Sequence, residues 1–171
     1  MRISVFLDGA NFFFMQKEAG WFADPKKLLS FIEQKFNDQK GEIVDAFYYI
    51  GQDAPPEAKQ GAFLKMLPTM GYSLVSKQIK TIYDSKSGQI KRKANLDIEI
   101  VLDMFNTIEH YDMAILVSGD GDFERALELL KARGKQFLVI ATSKFVAQEL
   151  LNVAGRHYLD LNSIKSEVIK A

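Results

Sequence analysis

Short apolar runs alternate with longer amphipathic segments along this chain, and that alternation limits the fold more than any other feature of the sequence. The apolar runs predict strands at 3–7, 43–50, 72–75, 113–117 and 137–141, with a short edge strand at 158–159. The segments between them predict helices, among them 11–19, 122–133, 144–154 and a last helix from 162 onwards. Buried strands separated by helices are typical of βαβ units. We therefore predict a single α/β domain, spanning 1–171, whose mostly parallel sheet is covered by helices on both faces.

One segment, residues 77–93, interrupts this rhythm. Apolar and polar residues alternate on both sides of a turn cluster, which predicts an inserted β-hairpin. The segment carries six basic residues against one acid, namely Lys77, Lys80, Lys86, Lys91, Arg92 and Lys93 against Asp84. The chain as a whole has 22 basic and 22 acidic residues, so a nucleic-acid contact would need a local patch of this kind. The alternative is a solvated edge strand, whose lysines prevent aggregation.

Composition excludes several classes of protein. The chain has no Cys and only two His, which rules out disulfide scaffolds, zinc ribbons and cysteine nucleophiles and leaves little room for a His-based metal site. It contains neither a P-loop nor a GxGxxG fingerprint. The first apolar run ends at Asp8, too early for a signal peptide, and no apolar stretch is long enough to span a membrane. We expect a cytoplasmic protein with no membrane partner.

Carboxylates follow two of the predicted strands. Asp8 follows the first strand, Asp120 and Asp122 follow the fourth, and Thr142 and Ser143 follow the fifth. Ligands of open parallel sheets bind outside the carboxyl ends of the strands, so these side chains should share one edge. Each acid also has a simpler explanation, since Asp8 could cap the next helix and Asp120 and Asp122 could form a turn and an N-cap. Thr142 and Ser143 could bind phosphate at the start of the following helix.

A further acid comes from the helix that follows the hairpin. Asp97 lies in its first turn and, at 3.6 residues per turn, shares a face with Val101 and Met104. That apolar face must point at the protein, so Asp97 should be held inward, whereas Glu99 should face solvent. Asp103 lies between apolar neighbours, and no role for it is evident.

An acidic cluster of this kind needs a counterion. Three or four carboxylates at one edge repel one another, so that without a cation their pKa values rise and the fold loses stability. Mg²⁺ and Mn²⁺ favour carboxylate oxygens and water, and they need neither Cys nor His. A cation of this kind activates water and stabilises an oxyanion leaving group, and a basic hairpin beside it would hold a phosphate backbone. Metal-dependent cleavage of a phosphodiester is the resulting hypothesis.

Three motifs together resemble the signatures of NYN domains of the LabA-like branch. The segment Asp8-Gly9-Ala10-Asn11 resembles the opening motif, and Ser118-Gly119-Asp120-Gly121-Asp122-Phe123 resembles the second signature. Asn95-Leu96-Asp97, followed by Leu102-Asp103, resembles the middle acidic helix. Their order and spacing match over nearly the whole chain, residues 2 to 160.

The resemblance implies a fold and an activity. NYN domains belong to the PIN-like nuclease group, so the fold expected is a Rossmann-like three-layer α/β/α sandwich that holds a Mg²⁺- or Mn²⁺-dependent ribonuclease site. The residues that match the family's catalytic and metal-binding acids are Asp8, Asp97, Asp120 and Asp122. Substrate contacts are expected from Asn11, Ser118, Lys91, Arg92, Lys93, Thr142 and Ser143. Many LabA-like members are regulators of gene expression, so a non-catalytic module that binds RNA or protein is the alternative.

Two further expectations concern partners. The substrate expected is RNA, with single-stranded RNA favoured, and the remaining alternative is an enzyme acting on a nucleotide or small phosphate ester. A strand edge or the hairpin could support a homodimer. The aromatic run Phe12-Phe13-Phe14 is expected to be mostly core, with Phe13 or Trp21 as the alternative contribution to a partner surface.

Overall fold

A six-stranded parallel sheet forms the centre of the molecule. The structure is a computed structural model that describes the backbone of all 171 residues and every side chain except those of Lys91 and Lys93. The sheet order is β3-β2-β1-β6-β7-β8. The strands are β1 (Arg2–Asp8), β2 (Glu42–Gln52), β3 (Ser73–Gln78), β4 (Lys80–Asp84), β5 (Gln89–Lys93), β6 (Met113–Val117), β7 (Gln136–Ala141) and β8 (Tyr158–Asp160).

Helices cover both faces of this sheet. They are α1 (Gly9–Ala19), α2 (Pro25–Lys35), α3 (Ala58–Met66), α4 (Asp97–Asn106), α5 (Glu124–Ala132), α6 (Gln148–Ala154) and α7 (Lys165–Val168). One core packs α1, α2, α3 and α7 against the sheet, and the other packs α4, α5 and α6 against the opposite face. The two cores arise because successive residues of a strand point to opposite faces, as Phe6 and Leu7 of β1 do. The predicted three-layer α/β/α sandwich is confirmed.

The order of the strands reverses between β1 and β6, which are hydrogen-bonded neighbours. Leu7 pairs with Val117, so the next residues of the two strands, Asp8 and Ser118, leave the sheet side by side. In open α/β sheets, ligands bind at such a reversal, outside the carboxyl ends of the strands. The fold therefore places the two acidic segments at the position where binding is expected.

The basic segment forms a hairpin, but a shorter one than the sequence predicts. β4 and β5 pair as a separate antiparallel sheet, whereas Lys77 belongs to β3 of the main sheet. The Asp84 side chain closes the turn by accepting hydrogen bonds from the Lys86 N–H and the Ser87 hydroxyl. The hairpin is tied to the end of β2, because the Arg92 guanidinium pairs with Asp53.

Several predicted boundaries were wrong. A 3-10 turn, Gly121–Phe123, precedes α5, and the predicted last helix is a 3-10 turn, Leu161–Ile164, followed by the four residues of α7. α6 begins at Gln148 rather than at 144, because the Ala147 N–H donates to the Gly119 carbonyl and holds the preceding segment as a turn. No helix in the described part of the chain combines the length and apolarity needed to cross a bilayer.

Candidate acidic site at the carboxyl edge of the sheet

Asp8 is the most buried acid of the site. It ends β1 and caps α1, since its Oδ1 accepts a hydrogen bond of 3.1 Å from the Asn11 N–H. Only 9% of its surface is exposed. The residue that follows must be glycine, because a Cβ at Gly9 would lie 2.5 Å from the Tyr49 carbonyl oxygen. The capping role suggested for Asp8 is therefore real, and the carboxylate also lies at the edge where open α/β sheets bind ligands.

A hydrogen-bond network joins Asp8 to the segment after β6. Ser118, fully buried, donates a hydrogen bond of 3.0 Å to Oδ2 of Asp8. The same hydroxyl accepts from the Asp120 N–H at 3.2 Å. Asn11 completes the link, since its Oδ1 accepts from the Gly119 N–H at 2.8 Å. Asn11 and Ser118, both predicted as site residues, thus hold the two strand ends in a fixed relative position.

Three carboxylates converge beside this network. Asp97, Asp120 and Asp122 each offer one oxygen, and these three oxygens lie within 4.8 Å of one another. Asp97 is the first residue of α4, whereas Asp120 caps the 3-10 turn by accepting from the Asp122 N–H at 2.9 Å. Of the turn and N-cap suggested for this pair, the capping residue is Asp120, and Asp122 does not cap α5. The side chain of Asp122 is left free to join the other two acids.

Burial and mutual repulsion raise the pKa values of two of these acids. Burial raises the pKa of Asp8 to about 6; its hydrogen bonds to Asn11 and Ser118 oppose the rise, and the charges of Asp97 and Asp120 add to it. Burial also raises the pKa of Asp97, with further contributions from Asp120 and Asp122. Such a cluster favours a bound cation, which would remove the repulsion among the carboxylates.

Sequence reasoning missed the residue that orients Asp97. Asn95 donates from its side-chain nitrogen to Oδ2 of Asp97 at 2.9 Å and accepts from the Asp97 N–H at 2.8 Å. An Asn two residues before a helical acid is a local signal for such an arrangement, because Asn side chains bond to backbone two residues on. Asn95 therefore fixes the direction of one carboxylate in the cluster.

The other two acids of α4 lie outside the cluster. The Tyr49 hydroxyl donates to Oδ2 of Asp103 at 2.9 Å, which gives this acid a structural partner across the core. Glu99 does not simply face solvent as expected, since it is partly buried and pairs with Lys77 at 2.6 Å. The sequence could not anticipate either contact, because both partners come from distant strands.

The remaining predicted substrate contacts do not belong to the hydrogen-bond network around Asp8. Thr142 is buried and precedes the turn that leads to α6, whereas Ser143 is exposed and lies in that turn. They therefore do not lie at a helix start, which was the reason for expecting them to bind phosphate. Arg92 is exposed on the hairpin, and the side chains of Lys91 and Lys93 lie outside the described residues.

Comparison with known proteins agrees with the motif analysis. Residues 2–162 match the family described as NYN domain. The low amplitude and bright protein LabA of Synechococcus elongatus is 43% identical over 170 residues, which cover 99% of this chain and 88% of LabA. A solved structure of a protein of unknown function from Vibrio parahaemolyticus has a TM-score of 0.79 at 23% identity, over 99% of this chain and 96% of that one. At that identity the solved structure supports the fold alone.

Proposed function

Because this chain belongs to the NYN domain family, we propose that it is a metal-dependent ribonuclease that cleaves RNA phosphodiester bonds with Mg²⁺ or Mn²⁺. One observation carries the proposal. Three carboxylate oxygens, from Asp97, Asp120 and Asp122, meet within 4.8 Å at the edge where the strand order reverses. These carboxylates come from two segments of the chain and repel one another, and a bound cation would remove that repulsion.

The donor set fits a hard divalent cation. Mg²⁺ and Mn²⁺ prefer carboxylate oxygens and water, which matches a cluster made of Asp side chains alone. Asp97, Asp120 and Asp122 would hold the ion, and Asp8 would complete the acidic site. When bound, the ion would activate water and stabilise the oxyanion that leaves the phosphorus.

The chain's own residues supply positioning. Both oxygens of Asp8 already accept one hydrogen bond, and each keeps a second lone pair that can face the site. Asn95 holds Asp97, and Ser118 holds both Asp8 and the backbone of Asp120. This preorganisation keeps the carboxylates in place before substrate arrives, which is the condition for electrostatic catalysis.

RNA is the proposed substrate because the hairpin adds a basic patch to a chain whose net charge is zero. Lys91, Arg92 and Lys93 would contact backbone phosphates, which orients a strand without reading its sequence. Arg92 would exchange its pairing with Asp53 for a phosphate. Single-stranded RNA is favoured, since proteins commonly bind RNA whose bases are unpaired and accessible.

A non-catalytic binding module is the second candidate. It is favoured by the local roles of two acids, since Asp8 and Asp120 each cap the element that follows. A module of this kind would keep these acids for folding and would bind RNA or protein without cleaving it.

Cleavage of single-stranded RNA by purified protein in Mn²⁺, Mg²⁺ or EDTA tests the proposal. Wild type should cleave with either metal and not in EDTA, and Asp8→Asn and Asp120→Asn should abolish cleavage while remaining folded. Asp38→Asn, at an exposed acid in a 3-10 turn away from the site, is the matched control and should cleave as wild type does.

Three results would contradict the ribonuclease. If a folded Asp8→Asn protein cleaves RNA at the wild-type rate, the acidic site does not take part in the reaction. RNA binding without cleavage in any metal would favour the binding module. Turnover of small phosphate esters in preference to RNA would point to a different phosphoryl-transfer enzyme.

A further inference from the structure

A groove of about 760 Å³ opens beside the acidic edge, on the face of the sheet that α1 covers. Gly9 and Ala10, which follow Asp8 directly, form one wall, and Ile50 and Gly51 at the end of β2 form another. Arg92 brings the basic hairpin to the rim. The groove therefore begins at the two residues that follow Asp8 and reaches the basic hairpin.

Three exposed aromatic rings stand at the mouth of this groove. Phe13, Phe14 and Phe22 are 49%, 52% and 44% exposed, so only Phe12 of the aromatic run lies in the core, and the prediction of a mostly buried run was wrong. The ring centroids of Phe13 and Phe14 are 5.6 Å apart, and those of Phe13 and Phe22 are 5.9 Å apart. Adjacent apolar side chains exposed in this way mark a binding surface rather than a stable solvated face.

The polar groups of the groove suit an anion that carries flat apolar surfaces. Arg92 and Lys170 line it, and no acidic side chain does so among the described residues. Arg92 is paired with Asp53, whereas Lys170 makes no ion pair with any described side chain. The groove thus presents cations and aromatic rings together.

Tyr48 supplies a hydrogen-bonding group within the groove. Its side chain lines the groove and is only 4% exposed, and its hydroxyl has no hydrogen-bond partner among the described side chains. Burial raises the pKa of Tyr48, so the hydroxyl keeps its proton at neutral pH and can donate it. A ligand that enters the groove could therefore accept a hydrogen bond from the Tyr48 hydroxyl.

We propose that this groove binds an unpaired nucleotide of single-stranded RNA next to the phosphate that is cleaved. The base stacks on Phe13 and Phe14, the adjoining phosphate lies near Arg92 and Lys170, and the Tyr48 hydroxyl reaches an edge of the base. Single-stranded RNA is recognised by this combination, since unstacked bases lie on aromatic rings while cations follow the backbone. The inference rests on the proposed function, because it assigns the RNA to the same edge.

Binding measured apart from cleavage tests the inference. Fluorescence anisotropy in EDTA would compare a short single-stranded RNA with an abasic oligonucleotide of the same length and charge. Phe13→Ala and Phe14→Ala should each weaken RNA binding by about 5- to 100-fold, since stacking on one ring contributes to that extent. Neither variant should weaken binding of the abasic oligonucleotide further. Leu129→Ala, an exposed apolar residue of α5 on the opposite layer, is the control and should bind as wild type does.

Tyr48→Phe tests the directional contact. It keeps the ring and removes one hydroxyl, so it should weaken RNA binding by about 3- to 10-fold, the effect of one hydrogen bond. Binding of the abasic oligonucleotide should not change. Thermal unfolding of each variant would show that the fold is intact.

The outcomes separate this inference from the proposed function. If wild type cleaves RNA but Phe13→Ala, Phe14→Ala and Tyr48→Phe bind it as tightly as wild type does, the groove assignment fails and the ribonuclease stands. If wild type binds RNA in a base-dependent way but never cleaves, the groove stands and the ribonuclease fails. If wild type binds no RNA, both the groove assignment and the ribonuclease proposal fail. A wild-type dimer that Phe13→Ala converts to monomers in sedimentation would show that a second copy covers the groove, which overturns the inference.

Discussion

The hydroxyl of Ser118 donates a hydrogen bond of 3.0 Å to Oδ2 of Asp8 and so joins two strand ends that lie 110 residues apart in sequence. The two strands are neighbours at the reversal of strand order, which is where open α/β sheets bind their ligands. Because the same hydroxyl also accepts from the Asp120 N–H, one buried side chain sets the positions of two acids. The geometry of the acidic site therefore depends on a residue that carries no charge.

Ser118→Ala should lower both stability and activity. The change leaves a buried carboxylate oxygen without its donor and the Asp120 N–H without its acceptor, which costs about 1–3 kcal/mol in the free energy of unfolding. It also removes a contact that lowers the pKa of Asp8, so that pKa should rise further. Chemical denaturation and kcat/KM on RNA measure the two effects. Ser163→Ala, where an exposed hydroxyl donates to the Asp160 carbonyl, is the control, and equal behaviour of the two variants would contradict the linking role.

The buried charge of Asp8 should make the protein less stable at neutral pH than at mildly acidic pH. Its pKa is 3.8 in an unfolded chain and about 6 in the folded one, so the folded state binds more protons between these values. The contribution of Asp8 to stability is therefore complete below pH 4 and is lost as the pH rises through 6. The loss is about 3 kcal/mol, since one pKa unit corresponds to about 1.4 kcal/mol.

Asp8→Asn isolates this contribution. Asn keeps an acceptor for the Asn11 N–H but cannot ionise, so the variant should gain stability relative to wild type as the pH rises from 4 to 7. Urea denaturation in EDTA at several pH values, with Asp38→Asn as the exposed control, measures the difference. A difference between wild type and Asp8→Asn that is independent of pH would show that Asp8 does not carry the raised pKa.

Much of the fold and the position of the acids could be predicted from the sequence, because both follow from local periodicity. The run from Ile3 to Leu7 is apolar on both faces, which indicates a central parallel strand, and the acid that follows must then lie at its carboxyl end. The helical period placed Asp97 on the inward face of α4. No distant contact was needed for either inference.

Other features depend on contacts between distant residues and escaped prediction. The start of α6 is delayed because Ala147 bonds to Gly119, at which a Cβ would lie 2.9 Å from the Phe145 carbonyl oxygen. The structural role of Asp103 depends on its hydrogen bond with Tyr49 of β2, which lies far away in sequence. Phe13 and Phe14 are exposed although their side chains are strongly hydrophobic. Such a departure from the usual burial pattern is expected where a surface serves binding rather than folding.

Mn²⁺ should raise the melting temperature of wild type. A ligand present at one hundred times its dissociation constant stabilises the folded state by about 2.7 kcal/mol, since it binds that state alone. Asp97→Asn and Asp120→Asn should lose most of this shift, because each removes one of the three converging carboxylates. In EDTA the same variants should be at least as stable as wild type, since they relieve repulsion. A Mn²⁺ shift in both variants equal to that of wild type and of Asp38→Asn would contradict the assignment of the ligands.

The hairpin should make RNA binding depend on salt. Replacing Lys91, Arg92 and Lys93 together by Gln should reduce the slope of log Kd against log salt by about 2, because each phosphate contact on a single strand contributes about 0.7. The rate of cleavage at saturating RNA should change little, since the proposed function assigns these residues to the RNA backbone and not to the reacting atoms. Anisotropy over a salt series measures the slope. The control is a second triple variant, in which Gln replaces Lys26, Lys35 and Lys131. These lysines are exposed on α2 and α5, so the control loses the same amount of charge away from the hairpin. Equal slopes for the two triple variants would show that the hairpin does not contact the backbone and that only net charge attracts the RNA.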